Sequence, residues 1–461
     1  MRMEATDERQ APRAAQSRRG RTDSHTRPSV RIFPAELATV EADQAWAPGP
    51  PGLPRPASTP RRGVAAAGVA GRQSAPAATG STATATLRLP LAARLQAWRR
   101  PGAPDYALAL GVAVLLLLGL VMVFSASQFV RPDDPSYWFR HQLVWALIGL
   151  AALLITSRVD YRVWRRFARV GMLVALVLLG AVLVFGREAY GAQRWLHLGF
   201  FSIQPSELAK LALAVYLADW MARLGEGVRT LRRGLVPFLV VAGTVVGLVL
   251  LQNDMGTSLV VAALALAMFF AAGAGAAYIA PTLGLSGLAY WVLVTATPFR
   301  RGRLEAFLHP LPPGCDGAWQ VCQGLLSLGS GGVFGRGLGD SVQKAGYLPN
   351  PFTDSIFAIV GEELGLLGCA LLLGLFAFLA LRGLRIARRA PDTYATLLAC
   401  GITCWLVAQA AINVGSTVDV IPFTGVPLPF VSFGGSSLVT SLAAVGVLLN
   451  ISRHSRQVDS L

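Results

Sequence analysis

Charge is scarce in this chain. Only 14% of its 461 residues are Asp, Glu, Lys or Arg, whereas 53% are hydrophobic. That balance excludes an ordinary soluble globular protein and points to one integral to a membrane. Cysteine is scarcer still, and five residues without paired metal-ligand spacing argue against a zinc site or a disulfide framework. Lysine is nearly absent, Lys210 and Lys344 being the two examples, so arginine carries the formal net charge of +16.

Most of that charge lies outside the apolar part. Residues 1–104 hold 16 Arg against seven acidic residues, in a stretch rich in Ala, Pro, Gly, Ser and Thr. The stretch lacks the apolar periodicity that builds a core and the apolar run of a cleavable signal peptide. A disordered cytoplasmic tail is expected, with anionic lipid headgroups as its natural partner. No aromatic residues are interleaved with the arginines as a stacking platform, which argues against nucleic acid.

What the remainder has is apolar runs long enough to cross a bilayer as helices. Ten are expected, at about 106–127, 141–157, 168–185, 205–222, 235–251, 256–274, 278–298, 354–381, 393–414 and 430–451. The fold class is therefore an all-α membrane protein with both ends cytoplasmic. A ten-span domain covers 105–452, preceded by the 1–104 tail and followed by a short cytoplasmic tail, 453–461. Arginine placement agrees, because cytoplasmic loops concentrate positive charge. Arg158, Arg162, Arg165, Arg166 and Arg169, then Arg223, Arg229, Arg232 and Arg233, then Arg382, Arg385, Arg388 and Arg389 all fall on one side. Arg300, Arg301 and Arg303 fall on the other, and call for a local anionic partner such as a phosphate.

The long outer loop, about 299–353, follows them. It contains "HPLPPGCDGAWQ" (309–320), whose one carboxylate is Asp316, and "LGSGGVFGRGLGDSVQK" (328–344). Connectors of that length tend to be functional. The glycines could bring backbone N–H groups close to a phosphate, although their spacing matches neither a P-loop nor a dinucleotide fingerprint.

Ionisable residues in membrane spans are expensive and mark function by default. Glu207 and Lys210 lie three apart on one helix face, where they could act on a ligand or neutralise each other. Asp254 could be catalytic or an N-terminal helix cap. Glu362 and Glu363 point about 100° apart on a helix, so one at most faces a given site. Each could pair with a basic residue instead. Asp354 completes the set. Four prolines in "NVGSTVDVIPFTGVPLPFVSFGGSS" (413–437) put irregular backbone at membrane depth, which needs either a wet cavity or burial in protein.

Together with "YGAQRWLHLGFFSIQPSELAKLAL", "NDMGTSLV" and "GSGGVFGRGLGDSVQKAGYLPNPFTDSIFAIVGEELGLLG", that stretch closely resembles the SEDS family of shape, elongation, division and sporulation proteins. The division branch is the nearer one, and the likeness covers about 106–452. The resemblance implies a peptidoglycan glycosyltransferase that polymerises lipid II at the outer face of the bacterial cytoplasmic membrane, at the division septum. It implies a class B penicillin-binding protein and other divisome proteins as partners. It also implies an essential aspartate in the outer loop, in a pattern like D-P-W-x-D-P-x-G-x-G-Y-Q. Laid without gaps on 309–320, that position is Pro313. Asp316 is the substitute three residues on. Other departures are Phe352 in place of His, Asn253 in place of Pro, and Asp419 in place of Gly.

Forming a β-1,4 link from an α-linked lipid diphosphate inverts the anomeric carbon, so one carboxylate should take the proton from the attacking hydroxyl. Asp316 is the candidate base. Arg194, Lys210, Arg336 and Lys344 are candidates to receive the diphosphate, and Glu207, Asp354, Glu362 and Ser436 complete the expected substrate-binding set. No cofactor is evident in the sequence. A divalent cation, magnesium or manganese, could share the charge, but no dedicated metal cage is visible. Two alternatives stay open: a catalytically impaired scaffold that recruits the transpeptidase, and a lipid-linked precursor transporter. The transporter would show repeated halves with matching broken helices, and the first half has no counterpart of "GVPLPFVSFGGSS". Cys315 and Cys322, bracketing Asp316, could form a disulfide or stay free. Cys400 and Cys404 read as small apolar fillers.

Overall fold

The computed structural model describes residues 102–189, 192–198, 201–295, 298–308 and 318–455. The 1–104 and 453–461 tails, apart from their membrane-proximal ends, lie outside the described residues. So do Cys315 and Asp316.

The first three helices are α1 (Tyr106–Ser127), α2 (Tyr137–Arg158) and α3 (Tyr161–Phe185). A small antiparallel sheet follows, β1 (Arg187–Ala189), β2 (Ala192–Leu198) and β3 (Phe201–Ile203), in the order β1-β2-β3. Next come α4 (Pro205–Leu224), α5 (Val236–Leu251), α6 (Met255–Ala271), α7 (Ala276–Thr295), α8 (Pro298–Leu308) and α9 (Trp319–Ser330). The chain closes with α10 (Ile356–Arg388), α11 (Thr393–Thr417) and α12 (Gly435–Arg453).

Each of the ten expected apolar segments overlaps a helix. Seven helical stretches among the described residues are long and apolar enough to cross a membrane: α1, α2, α3, Leu231–Leu251, α10, α11 and α12. The chain is thus a multi-pass membrane protein. Two of the remaining helices, α6 and α4, fall short for different reasons. At 17 residues, α6 is short. In α4 the apolar run is broken by Glu207, Lys210 and Asp219, all of them buried.

Aspartates start several helices. Asp105, Asp160, Asp254 and Asp392 each accept a backbone N–H of the first turn, from Leu108, Arg162, Thr257 and Ala395, at 2.8–3.1 Å. Such caps satisfy donors that would otherwise be orphaned, and they put negative charge at the positive end of the helix dipole. Asp105 also takes a forked contact from Arg382 near the end of α10, with both Nη2 distances 2.7 Å.

The innermost helices are α12 and α11, whose most apolar windows are 83% and 67% buried. α12 packs along α2, where Thr156 donates to the Ala443 carbonyl at 2.9 Å. Between α11 and α12, residues 418–434 form no regular element, yet Val426, Leu428, Phe430 and Val431 are buried. Neutral amides on neighbouring helices satisfy this backbone. Gln409 donates to Pro427 (2.9 Å), Asn413 to Val426 (2.7 Å), and Gln142 to Ser432 (3.1 Å). The proline-rich stretch is therefore buried in protein and held by side chains of two helices, α11 and α2, the second of its two expected roles.

The 299–353 connection is less irregular than expected. It contains α8 and α9, and Arg301 finds its anionic partner within α8, in Glu305 at 2.8 Å. The glycine-rich stretch also departs from expectation. At Gly365 (φ 67°) α10 breaks, and residues 331–337 lie against the break. Arg336 and Gly337 donate their N–H groups to the carbonyls of Glu362 and Glu363 at 2.9 and 3.1 Å, while Leu366 and Leu367 donate back to Gly332 and Val333 at 2.9 and 3.2 Å. A β-carbon on Gly335 would collide with the Glu363 carbonyl. These glycines permit backbone-to-backbone packing, and several of the N–H groups expected to meet a phosphate are engaged inside the protein.

Candidate functional site

The predicted site residues fall into two buried polar clusters built from different elements. The first lies beneath the β-sheet. Lys210, fully buried on α4, is 2.8 Å from Glu207 one turn earlier and donates to Gln409 on α11 at 2.7 Å. The Trp405 ring, its centroid 5.0 Å from Nζ, closes another side. Apart from this contact with the Lys210 ammonium, neither Glu207 oxygen has a hydrogen-bond partner among the described residues. The expected mutual neutralisation of Glu207 and Lys210 is what the structure contains.

Gln204, just before α4, joins this cluster to its neighbours. Its side chain donates to Asp254 at 3.2 Å and its N–H to the Ser436 hydroxyl at 3.1 Å. Asp254 caps α6, as its position before an apolar run anticipated, and remains available to Arg194, whose Nη1 is 3.9 Å away. Arg194, on β2, donates from Nη2 to the Asn253 carbonyl at 2.7 Å, while its Nε–H has no partner among the described residues. The Arg194 side chain is 21% exposed, so the first cluster ends in a cation that is partly accessible, although its Nε is buried.

The second cluster surrounds the break in α10. Glu362 accepts from Ser327 (2.8 Å), Ser341 (2.7 Å), the Val342 N–H (2.9 Å) and Arg336 (3.2 Å). Glu363, next in sequence and turned away, accepts from Ser125 on α1 (2.6 Å) and from Lys344 (2.8 Å). The two acids face different partners, as their separation on a helix requires. Lys344 also donates to Ser125 (3.0 Å) and the Gly339 carbonyl (2.7 Å), so all three of its ammonium donors are taken. Arg336, 42% exposed, is the cation of this cluster that reaches the surface.

Asp354 lies between the loop and α10. It accepts from Thr353 at 3.0 Å, and its carbonyl accepts from Asn413 at 2.9 Å. α9, which directly follows the segment containing Asp316, is fastened here too: Gln320 donates to Ser355 at 3.0 Å and Trp319 to the Tyr347 carbonyl at 2.9 Å. Cys322 on α9 is disulfide-bonded, whereas Cys369, Cys400 and Cys404 are free thiols. Cys315, like Asp316, lies outside the described residues. Among those that are described, no three His, Cys, Asp or Glu side chains gather into a group that could hold a metal ion.

Three departures from the family pattern have local explanations. Asn253 (φ 59°) and Asp419 (φ 57°) occupy left-handed backbone, which Asn and Asp tolerate and proline, fixed at negative φ, cannot adopt. Phe352 is buried against Trp138 and Phe433, with ring centroids 5.0 and 5.6 Å apart. It packs as an aromatic residue and supplies no titratable group. Sequence reasoning missed Ser125, Gln204 and Gln409, and the signal was available: each is a polar residue within or beside an apolar run.

The family described as FtsW/RodA/SpoVE, a cell cycle protein, matches residues 106–457. "Stage V sporulation protein E" of Bacillus subtilis (strain 168) is 42% identical over 359 residues, covering 77% of this chain and 98% of that protein. "Probable peptidoglycan glycosyltransferase FtsW" of Trichlorobacter lovleyi is 41% identical over 354 residues, covering 76% and 93%. Among solved structures, a chain of a peptidoglycan synthase complex coordinating polymerization and crosslinking superposes with a TM-score of 0.64 at 30% identity, over 77% of this chain and 99% of that one. Rod shape determining protein RodA of Thermus thermophilus superposes with a TM-score of 0.58 at 30% identity, over 77% and 98%. The chain belongs to the FtsW/RodA/SpoVE family of cell cycle proteins.

Proposed function

We propose that this chain is a peptidoglycan glycosyltransferase of cell division, polymerising lipid II at the outer face of the cytoplasmic membrane at the septum. Ten spans with cytoplasmic ends hold the β-sheet and the 299–353 loop on the outer side, where a single-span class B penicillin-binding protein and other divisome proteins join it. One observation carries the proposal. In a chain 41% identical to a protein named a peptidoglycan glycosyltransferase, Arg194 tops a buried acid–base cluster with an unpaired Nε–H directed at no protein acceptor among the described residues.

The chemistry divides among the residues by accessibility. Asp316 accepts the proton of the attacking sugar hydroxyl. Arg194 and Arg336, the two partly exposed guanidinium groups, receive the departing diphosphate, whose paired oxygens match the guanidinium fork. Asp254 and Glu362 aim those guanidinium groups. Lys210 with Glu207, and Lys344 with Glu363, act one step further back as buried ion pairs that fix the helices bearing the cations. Ser436 on α12 and Asp354, just before α10, line the approach.

Labelled lipid II polymerisation in proteoliposomes tests this. Asp316→Ala is expected to lower the rate by about 10²–10⁴-fold, the usual contribution of a general base. An unchanged rate in that variant would remove Asp316 from the mechanism. No polymer from the wild type, with retained capture of the penicillin-binding protein, would favour the scaffold that Pro313 at the family's aspartate position suggests.

A further inference from the structure

At the end of the bundle away from the outer loop, the starts of α3 and α11 and the end of α4 enclose a cavity of about 540 Å³. The direction follows from connectivity: α10 leaves the loop at residue 356 and, beyond its break at Gly365, runs on to Arg388 and delivers the chain to residues 389–392 at this cavity, roughly 35 Å further along the helix axis. None of the residues assigned above to catalysis lines it.

Five arginines line the cavity against two acids, and both acids are already engaged. Asp219 is buried and bridges Arg165, at 2.9 Å, and Arg223. Asp392 caps α11 and accepts from the Tyr161 hydroxyl at 2.6 Å. Arg166 and Arg169 have no carboxylate partner among the described residues. Arg162, Arg165, Arg166 and Arg169 follow helical spacing, so they form one stripe on α3. Phe167 and Val170, each one residue later and about 100° around the helix, are exposed.

A second observation points to an occupant. Tyr394, 1% exposed, lines the cavity, and its hydroxyl has no hydrogen-bond partner among the described residues. Buried hydroxyls are ordinarily paired. An anion with several acceptor oxygens would take that donor together with the guanidinium groups of Arg166 and Arg169. The apolar stripe beside the basic one suits acyl chains lying along α3, which a free, hydrated anion would leave unused. We infer that this cavity binds the phosphate headgroup of an anionic membrane phospholipid, joining α3, α4 and α11 at the membrane boundary opposite the catalytic face.

Native mass spectrometry of the full-length protein, equilibrated with phosphatidylglycerol and phosphatidylcholine in equal amounts, tests the assignment. Wild type is expected to retain phosphatidylglycerol preferentially. Arg166→Gln with Arg169→Gln should reduce that preference by about tenfold. Arg232→Gln with Arg233→Gln, which removes equal charge from the same boundary outside the cavity, should leave it within about twofold. Tyr394→Phe should retain less phosphatidylglycerol while melting no lower than wild type in phosphatidylcholine alone, which separates lost binding from misfolding. Unchanged preference in the cavity pair, or equal loss in both arginine pairs, overturns the site. Release of the lipid by millimolar inorganic pyrophosphate, regardless of acyl chains, overturns the lipid in favour of a free anion.

Discussion

Lys344 and Glu363 form an ion pair of 2.8 Å in which neither side chain reaches solvent. The lysine comes from the 299–353 loop and the glutamate from the helix that the loop packs against, so the pair fastens one to the other. Removing one partner leaves a buried charge, at a cost of about 3–5 kcal/mol, whereas replacing both by apolar residues removes the desolvation penalty as well. Lys344→Met should therefore lower the unfolding midpoint in detergent markedly, and Lys344→Met with Glu363→Met should recover more than half of the loss. A single variant that keeps its midpoint but loses polymerisation would move Lys344 into the diphosphate-binding group.

Gly365 makes a second prediction possible at the same junction. Its φ of 67° lies where a β-carbon is disfavoured, and a side chain there would meet the Gly335 N–H and the Val333 carbonyl. Gly365→Ala is expected to cost about 1–3 kcal/mol from backbone strain, with the collision added. Residues 331–345 should become sensitive to limited proteolysis while the rest of the chain stays resistant. Wild-type resistance of that loop would show that the two strands of backbone do not depend on each other.

Much of the scaffold was legible because lipid imposes a simple rule: apolar runs of sufficient length, separated by arginine. The capping role of Asp254 and the Glu207–Lys210 pair were legible for the same reason, since each is set by local spacing on one helix. The three short strands were not, because at three to seven residues they carry little pattern. Gln409 and Asn413 could be seen as polar residues in an apolar run, but their bonds to backbone carbonyls of the irregular 418–434 segment could not, being a tertiary relationship with no fixed spacing. What the glycine-rich loop approaches was not legible, because glycine signals close approach without saying to what. Here it is the broken backbone of α10, and Gly335 and Gly365 meet across 30 positions of sequence.

Asp419 predicts a pH dependence. Burial pushes its carboxyl above the ordinary aspartate range, and its Oδ1 has no hydrogen-bond partner among the described residues. The folded state therefore binds the proton more tightly than the unfolded chain, so stability falls as pH rises from the ordinary aspartate range through the raised value. Asp419→Asn keeps a residue that tolerates φ 57° and removes the charge. The variant should unfold at a higher temperature than wild type at neutral pH, and the advantage should vanish by about pH 3, below the ordinary aspartate value, where both states are protonated. An advantage independent of pH would place its origin in packing.

Cys322 supplies the last prediction. It is disulfide-bonded at the start of α9, and the three other described cysteines are free. Cys315, seven residues earlier, is the expected partner, and closing that loop would restrict the chain around Asp316. Peptide mass spectrometry without reduction should recover 315 and 322 in one cross-linked species, with thiol labelling at 369, 400 and 404 after unfolding. If the link orients the catalytic carboxylate, reduction should slow lipid II polymerisation by wild type and leave the residual rate of Asp316→Ala untouched. Equal slowing of both would mean that the disulfide supports the loop as a whole, with Gln320, Trp319 and Ser327 sharing that task.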